Sequence, residues 1–222
     1  MQSMHNIRGI IFDLDGTLYQ MRWFMRPLLA CKLIPHLVRL PRFLKERGRF
    51  AGVQMGSREN LLNSIALAVS KKEKCNPEEI YNWILNSFYP AFISIMPFLK
   101  NSRPGIEESM ISLRKGGLKL GVLSDYDHVS KRLEYLQVNP SLFDITTSSE
   151  ASGALKPCSQ PFLDIADQWS INPENILVIG DRDDTDGQAA RDAGMRFIQI
   201  TDSAQKSEAL RWNELKSILL SI

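Results

Sequence analysis

Two aspartates stand at the end of an apolar run near the start of the chain. Asp13 and Asp15 follow the apolar residues 10–12, and Gly16 and Thr17 come directly after them. Residues i and i+2 of a strand point to the same side, so the two carboxylates converge just beyond the strand end. Two such acids need a cation or a proton-transfer task to offset their repulsion. An Asp-Gly hairpin turn is the alternative, but the sequence that follows is helix-like.

The sequence outside residues 20–103 alternates short apolar runs with helical patterns. The apolar runs predict five strands, at residues 7–12, 118–123, 143–147, 175–179 and 196–201. Helical patterns lie between and after them, at residues 104–115, 129–136, 160–169, 187–193 and 206–220. This alternation is typical of a doubly wound parallel sheet covered on both faces. The predicted fold class is therefore α/β, with a five-stranded Rossmann-like sheet.

Ligands of such sheets bind beyond the carboxyl ends of the strands, so polar residues just after the strands are expected to share one site. The residues placed there by the predicted strands are Asp13, Asp15, Ser124, Asp125, Lys156 and Asp181. Carboxylates without histidine or cysteine suit Mg²⁺, which prefers a few carboxylates, water and substrate phosphate. A nearby lysine would keep a nucleophilic carboxylate ionised and neutralise charge on a transferring phosphoryl group.

These elements, in this order and spacing, resemble the four motifs of the haloacid dehalogenase superfamily of hydrolases. The resemblance covers about 140 of the 222 residues, at residues 1–19 and 104–222. It implies that Asp13 is a nucleophile that forms an aspartyl-phosphate, and that Asp15 is the acid and base. It also implies that Lys156 stabilises both the nucleophile and the developing charge.

The resemblance further implies a Mg²⁺ site and a phosphate site. Asp13, the main-chain carbonyl of Asp15, Asp181 and Asp186 would hold the metal, with Asp184 as the alternative to Asp186. The predicted phosphate-binding group comprises Ser124, Asp125, Gly16 and Thr17, although many relatives have Asn at the position of Asp125.

The type of reaction follows from the residue two places after the nucleophile. Dehalogenating members typically lack an aspartate there, so Asp15 followed by Gly16 and Thr17 resembles the phosphatase variant. The prediction is a Mg²⁺-dependent phosphomonoester hydrolase acting on a small phosphorylated metabolite. A phosphomutase or a dehalogenase-like hydrolase is the alternative within the family. A binding protein that uses its basic segment on an anionic membrane or partner is the alternative outside enzymes.

Residues 20–103, which we call the helical segment, show helical spacing and no strand pattern. They contain 14 Lys and Arg against 5 Asp and Glu, whereas the rest contains 13 and 20. The resemblance makes this segment a helical cap, a lid that excludes water and selects substrate. Pro35 and Pro41 are predicted to kink or break a helix there.

Three interpretations of the positive charge stay open. It can be a solvated face over an apolar core, or it can supply Arg22 or Arg26 to an anionic substrate. It can also contact an anionic membrane or nucleic acid, with Trp23 and Phe24 as anchors, although no nucleic-acid partner is expected. The sequence leaves the oligomeric state open.

Three cysteines without metal-type spacing predict a reducing, cytoplasmic location and no disulfide framework. The first residues lack the pattern of a signal peptide. Residues 80–99 carry no charge and are long enough to span a bilayer, but Asn82, Asn86, Pro90 and Pro97 favour a buried helix and a linker. No transmembrane segment is therefore predicted.

Overall fold

The computed structural model describes residues 6–99, 102–202 and 209–219. Its strands are β1 (Gly9–Phe12), β2 (Lys119–Ser124), β3 (Ile145–Ser148), β4 (Ile176–Gly180) and β5 (Arg196–Gln199). All neighbouring strands are parallel, in the order β3-β2-β1-β4-β5. The predicted α/β fold with a five-stranded parallel sheet is confirmed, and β1 is its central strand.

The helical segment contains only helices and turns among its described residues. Its helices are α1 (Met25–Lys32), α2 (Arg39–Gly48), α3 (Arg58–Glu73), α4 (Pro77–Trp83) and α5 (Tyr89–Ser94). A π-helical turn over Ile84–Phe88 joins α4 to α5. The hydroxyl of Ser57 accepts a hydrogen bond from the N–H of Asn60, and the side chain of Asn76 caps α4 in the same way.

The two prolines of the helical segment act differently. Pro35 lies in a 3₁₀ turn, Ile34–His36, so the predicted break between α1 and α2 is present. Pro41 is the third residue of α2 and does not break it. The first turn of a helix has no internal partner for its N–H groups, so a proline there removes no hydrogen bond. The prediction for Pro41 was wrong for this reason.

The helices that cover the sheet are α6 (Ile106–Lys115), α7 (Val129–Tyr135), α8 (Gln160–Trp169), α9 (Gln188–Asp192) and α10 (Trp212–Leu219). Most lie within two residues of their predicted bounds. The last helix was predicted over residues 206–220, of which 206–208 and 220 lie outside the described residues. Helix α10 begins at Trp212, where the N–H of Arg211 donates 2.7 Å to Glu214, half of a capping box.

The sheet is buried on both faces, as its near-continuous apolar strands require. Ile10 and Phe12 of β1 belong to a large apolar cluster that extends into the helical segment through Phe43 and Phe88. Ile11 between them packs on the other face, in a smaller cluster with residues of α8 and α9. The two layers fix β1 and leave its carboxyl end facing the loops that carry the polar residues.

Residues 80–99 form α4, the π-helical turn, α5 and a 3₁₀ turn, Met96–Leu99, instead of one long helix. Among the residues that the structure describes, no helix has the length and apolar character needed to cross a bilayer.

Candidate active site

Asp13 is the first residue after β1 and is buried. Its N–H donates to the carbonyl of Ile179 in β4, which continues the ladder of the sheet by one residue. Lys156 Nζ donates to Oδ1 of Asp13 at 2.7 Å, and Thr17 Oγ1 donates to Oδ2 at 2.9 Å. Both carboxylate oxygens are thus fixed in position. Thr17, predicted to bind phosphate, contacts the predicted nucleophile directly.

Lys156 lies in the loop after β3 and is buried with its ammonium among acceptors. Besides Asp13, Nζ donates to Oδ1 of Asp186 at 2.7 Å and to the carbonyl of Leu123 at 3.0 Å. Burial lowers the pKa of Lys156, but the charges of Asp13 and Asp186 outweigh it, and the net pKa is raised. The lysine is therefore a permanent cation between two carboxylates.

Asp125 supports the loop that carries Lys156. Its Oδ1 accepts from the Lys156 N–H at 3.0 Å and from the Ser149 hydroxyl at 2.5 Å. This gives the residue a structural task that the sequence left open. The phosphate contact predicted for Asp125 stays a prediction.

Three carboxylates form a group that could hold a metal ion. Asp13, Asp181 and Asp186 each offer one oxygen, and these oxygens lie within 4.8 Å of one another. Asp181 follows β4, and Asp186 lies in a π-helical turn, Asp183–Gly187, before α9. Asp184 of the same turn is exposed and accepts from Arg182 at 2.7 Å. The structure thus brings Asp186, and not Asp184, to Asp13 and Asp181.

The loop after β1 approaches the same carboxylates closely. Gly16 has a φ of +90°, which favours glycine, and a Cβ at this position would collide with the carboxylate of Asp181. The sequence predicted Gly16 to bind phosphate. The geometry shows a further reason for a glycine there, which is the space that Asp181 occupies.

The cluster of Asp13, Asp181 and Asp186 carries more negative charge than Lys156 can neutralise. Burial raises the pKa of Asp13, and the nearby charges of Asp186, Asp15 and Asp181 add to the effect, against Lys156. Burial and the charge of Asp186 raise the pKa of Asp181 to about 6. Three acidic side chains beside one ammonium leave negative charge that a divalent cation can neutralise. Their carboxylate oxygens are the kind of ligand that Mg²⁺ prefers.

Asp15 has partners of its own. Its Oδ1 accepts from the guanidinium of Arg132 and from the Tyr19 hydroxyl, and its Oδ2 accepts from Ser124 Oγ at 2.8 Å. Burial raises the pKa of Asp15, but Arg132 and the hydrogen bonds outweigh it, and the net pKa is lowered. Ser124, predicted to bind phosphate, holds Asp15 in this structure.

Three residues of this region were missed by sequence reasoning: Tyr19, Arg103 and Arg132. Arg103 donates to the carbonyls of Gly16 at 2.8 Å and Thr17 at 2.7 Å, and so fixes the loop after β1. Arg132 lies eight residues after Ser124 on a predicted helix, but nothing in the sequence marks it as buried. Tyr19 lies two residues after Thr17 of the first motif, and this proximity is the only signal that the sequence offered.

Arg22 and Arg26, predicted to bind substrate, are exposed. Arg22 borders an open cavity of about 950 Å³ together with Arg103 and Asp202. Asp13, Asp15, Lys156, Asp181 and Asp186 are not among the residues that line this cavity, so the cavity does not place Arg22 at the site. The substrate contacts of Arg22 and Arg26 stay predictions.

A family model described as haloacid dehalogenase-like hydrolase matches residues 7–194. The chain belongs to the haloacid dehalogenase-like hydrolases. The matched range contains all four predicted motifs, from Asp13 to Asp186. The resemblance read from those motifs is confirmed, and so is the prediction that the chain is an enzyme, a hydrolase of this family.

Relatives of this haloacid dehalogenase-like hydrolase align over almost the whole chain. The glyceraldehyde 3-phosphate phosphatase of Methanocaldococcus jannaschii is 25% identical over 212 residues, which cover 90% of this chain and 87% of that protein. The phosphoglycolate phosphatase of Salmonella paratyphi A is 26% identical over 236 residues, covering 96% and 89%. The crystal structure of β-phosphoglucomutase from Clostridium difficile aligns with a TM-score of 0.63 and 21% identity, over 97% of this chain and 98% of that one. The structural likeness supports the fold.

Proposed function

We propose that this chain is a Mg²⁺-dependent phosphomonoester hydrolase that acts through an aspartyl-phosphate on a small phosphorylated metabolite. The observation that carries the proposal is the placement of Asp13. It is buried, held by Lys156 and Thr17, and grouped with Asp181 and Asp186. A carboxylate fixed in this way is a nucleophile without freedom to turn away from its target.

In the first half-reaction, an oxygen of Asp13 attacks the phosphorus of the ester. The new bond between that oxygen and phosphorus replaces the bond to the ester oxygen, which leaves with the electron pair. The leaving oxygen takes a proton from the carboxyl group of Asp15, and the alcohol departs. Lys156 neutralises charge that develops on the phosphoryl oxygens.

In the second half-reaction, water attacks the phosphorus of the aspartyl-phosphate. One proton of the water passes to Asp15, and the bond between Asp13 and phosphorus breaks. Inorganic phosphate leaves, and both aspartates return to their starting states. Three donors surround Asp15 in the structure, which suits its carboxylate form, and this is the form that accepts the proton of the water. The proton gained in this step is the one that Asp15 gives to the leaving oxygen in the next turnover.

The residues fit Mg²⁺. Asp13, Asp181 and Asp186 would hold it with the main-chain carbonyl of Asp15, and the excess negative charge of the group supports this assignment. When bound, Mg²⁺ neutralises phosphate charge and orients the ester for the attack.

We also propose that residues 20–103 act as a cap over a core of residues 1–19 and 104–222. Their helical content and their ion pairs to core loops support this: Arg58 of α3 lies 2.8 Å from Asp127, and Arg47 of α2 lies 3.1 Å from Glu150. The names of two relatives, phosphoglycolate and glyceraldehyde 3-phosphate phosphatase, favour a short-chain phosphate ester as substrate. The cytoplasm stays the predicted location, and all three cysteines are free thiols.

The test is phosphate release from a panel of phosphate esters with Mg²⁺ or EDTA, for the unaltered chain and for Asp13→Asn. We expect turnover that needs Mg²⁺ and a loss of at least about a hundredfold in Asp13→Asn, or about 2.7 kcal/mol. Asp183→Asn is the matched control, because Asp183 is exposed and pairs with Arg191. Retained activity in Asp13→Asn contradicts the nucleophile assignment. Transfer of phosphate to a second hydroxyl supports the mutase, and loss of turnover in EDTA argues against the dehalogenase-like hydrolase.

A second candidate function, contact with an anionic membrane surface, is favoured by one observation. The residues Trp23, Ile34 and Val38 are 87%, 63% and 61% exposed, and basic residues surround them in the sequence. Co-sedimentation with vesicles of anionic or neutral phospholipid, at low and high salt, tests it. Salt-sensitive binding that Ile34→Ser weakens, and that the exposed control Leu67→Ser does not, would support membrane contact. No binding would remove the idea.

A further inference from the structure

Arg132 of α7 is an arginine with no exposed surface. A charge so placed destabilises the fold unless partners compensate it closely. Its guanidinium donates to Asp15, to Ser124 Oγ at 2.8 Å and to the carbonyl of Tyr126 at 3.2 Å. The partners include the predicted acid-base residue and the polar residue at the end of β2.

The guanidinium contacts Asp15 and Ser124 at the same time, and Ser124 itself donates to Asp15. Arg132, Ser124 and Asp15 therefore form a closed triangle of hydrogen bonds. The planar fork of arginine has fixed directions for its N–H groups, so it sets the orientation of both partners. Tyr19 adds one more donor to Asp15.

The two aspartates of the first motif are held by different cations. Lys156 contacts Asp13, and Arg132 contacts Asp15. A change at Arg132 therefore affects the placement of Asp15 and leaves the contact between Lys156 and Asp13 in place. This separation makes the role of Arg132 measurable.

Arg132 also touches the helical segment. Its guanidinium lies 4.8 Å from the ring centre of Phe92 in α5, and Phe92 in turn lies 5.0 Å from the ring of Tyr126. Cation–π contacts are stronger when the cation is desolvated, as Arg132 is. The helical segment thus forms one wall of the pocket that holds Arg132.

We propose that Arg132 is the positioning residue for Asp15: it fixes the Asp15 carboxylate and the Ser124 hydroxyl so that Asp15 can receive the proton of the attacking water. The inference rests on the proposed function, in which Asp15 acts as the base. Loss of Arg132 then slows the breakdown of the aspartyl-phosphate more than its formation, provided that the ester has a good leaving group. Such an ester needs no proton from Asp15 in the first half-reaction.

The test is rapid-mixing kinetics with p-nitrophenyl phosphate and Mg²⁺, which separates the two half-reactions. We expect Arg132→Met and Arg132→Lys to release about one nitrophenolate per active site in a burst. A steady state at least about tenfold slower than that of the unaltered enzyme should follow, since misplaced catalytic groups can lose about a hundredfold. Asp15→Asn should show the same burst and slow phase. Trapped phosphoenzyme, detected by mass of the acid-quenched protein, should accumulate in all three variants.

Arg132→Lys keeps the inference testable if Arg132→Met fails to fold, because lysine retains the positive charge and loses only the planar arrangement of N–H donors. Arg47→Lys is the matched control, since Arg47 is also buried and ion-paired but has no contact with Asp15. Any loss of activity in Arg47→Lys should slow the burst and the steady state by the same factor. That pattern in the Arg132 variants, or turnover at the unaltered rate, would overturn the positioning role.

Two further outcomes separate this inference from the function on which it rests. A burst in Asp15→Asn but none in the Arg132 variants would overturn the role of Arg132 alone. A burst that survives in Asp13→Asn would overturn the proposed nucleophile, and the inference about Arg132 with it.

Discussion

Lys156 and Asp13 are 143 positions apart in the sequence, yet Lys156 Nζ lies 2.7 Å from Oδ1 of Asp13. The same ammonium reaches Asp186 at an equal distance. Its single positive charge offsets only part of the charge of these two buried carboxylates, and the remainder, together with the charge of Asp181, is left for another cation. These two contacts join the loops after β1, β3 and β4 into a single site.

We expect Lys156→Met to lower kcat/KM by at least about a hundredfold, or about 2.7 kcal/mol. Without the ammonium, Asp13 and Asp186 repel each other, and charge on the transferred phosphoryl group is left without its cation. Steady-state kinetics at saturating Mg²⁺ measure the effect. Lys119→Met is the control, because Lys119 is half-exposed and pairs with Asp144 away from the site. A loss of less than about tenfold in Lys156→Met would contradict the assigned role.

Asp186 and Asp184 provide a matched pair for the metal site. Asp186 lies with Asp13 and Asp181, whereas Asp184 is exposed and pairs with Arg182. We expect Asp186→Asn to raise the Mg²⁺ concentration for half-maximal activity by at least about tenfold, a change of about 1.4 kcal/mol. Asp184→Asn should shift it by no more than about twofold. Titration of activity with Mg²⁺ measures both shifts. A larger shift in Asp184→Asn than in Asp186→Asn would make Asp184 the ligand.

The fold and the acidic part of the site could be predicted because both depend on local pattern. Apolar runs separated by helical stretches indicate a parallel sheet, and the strands of such a sheet end at one edge. Asp13, Lys156 and Asp181 each follow a strand directly or in the next loop, so their meeting point followed from their positions. The assignment of Asp186 as a metal ligand followed from the resemblance of its segment to the last of the four motifs.

The support of the site could not be predicted because it depends on tertiary contacts. Lys131 and Arg132 are neighbours on α7, yet only Arg132 is buried, and the sequence shows no difference that indicates which one faces Asp15. Asp125 could not be assigned because its partners, the Lys156 N–H and Ser149, lie in a loop of unknown path. The partners in a buried polar network come from distant parts of the chain, and helical periodicity does not predict them.

Asp181 gives a prediction about pH. Its pKa is about 6 in the folded chain and 3.8 ordinarily, so its ionised form destabilises the fold when no metal is bound. The penalty is fully present above pH 6 and is relieved as pH falls through 6 towards 3.8. In EDTA, we expect the penalty to shrink by about 1.4 kcal/mol between pH 7 and pH 5. The free energy of unfolding of the unaltered chain, compared with Asp181→Asn at both pH values, measures it.

Mg²⁺ should reverse this trend, because it binds the ionised carboxylates and competes with protons. The rise in melting temperature on adding Mg²⁺ should therefore be larger at pH 7 than at pH 5. An Asp181→Asn variant with the same pH response as the unaltered chain in EDTA would contradict the assignment of the shift to this residue.

The last prediction concerns the ion pair between Arg47 of α2 and Glu150, which joins the helical segment to the loop after β3. Both side chains are almost fully buried, Arg47 also donates to the carbonyl of Asp125 at 2.5 Å, and Tyr89 of α5 donates to Glu150. Glu150→Gln leaves the guanidinium of Arg47 buried without a counter-charge, which should lower the free energy of unfolding by about 3–5 kcal/mol. Tyr89→Phe removes the hydrogen bond to the charged Glu150, worth about 1.5–3 kcal/mol, and a long contact of 3.5 Å that the hydroxyl accepts from the N–H of Asp127.

Denaturant unfolding of these variants measures the losses, with Arg191→Met as the control. Arg191 and Asp183 form an exposed pair, so the control should lose no more than about 1 kcal/mol. Replacing both Arg47 and Glu150 by apolar residues should lose less than the two single changes together, because neither charge is then left unpaired. A loss in Glu150→Gln no larger than that in Arg191→Met would show that this contact does not hold the helical segment to the core.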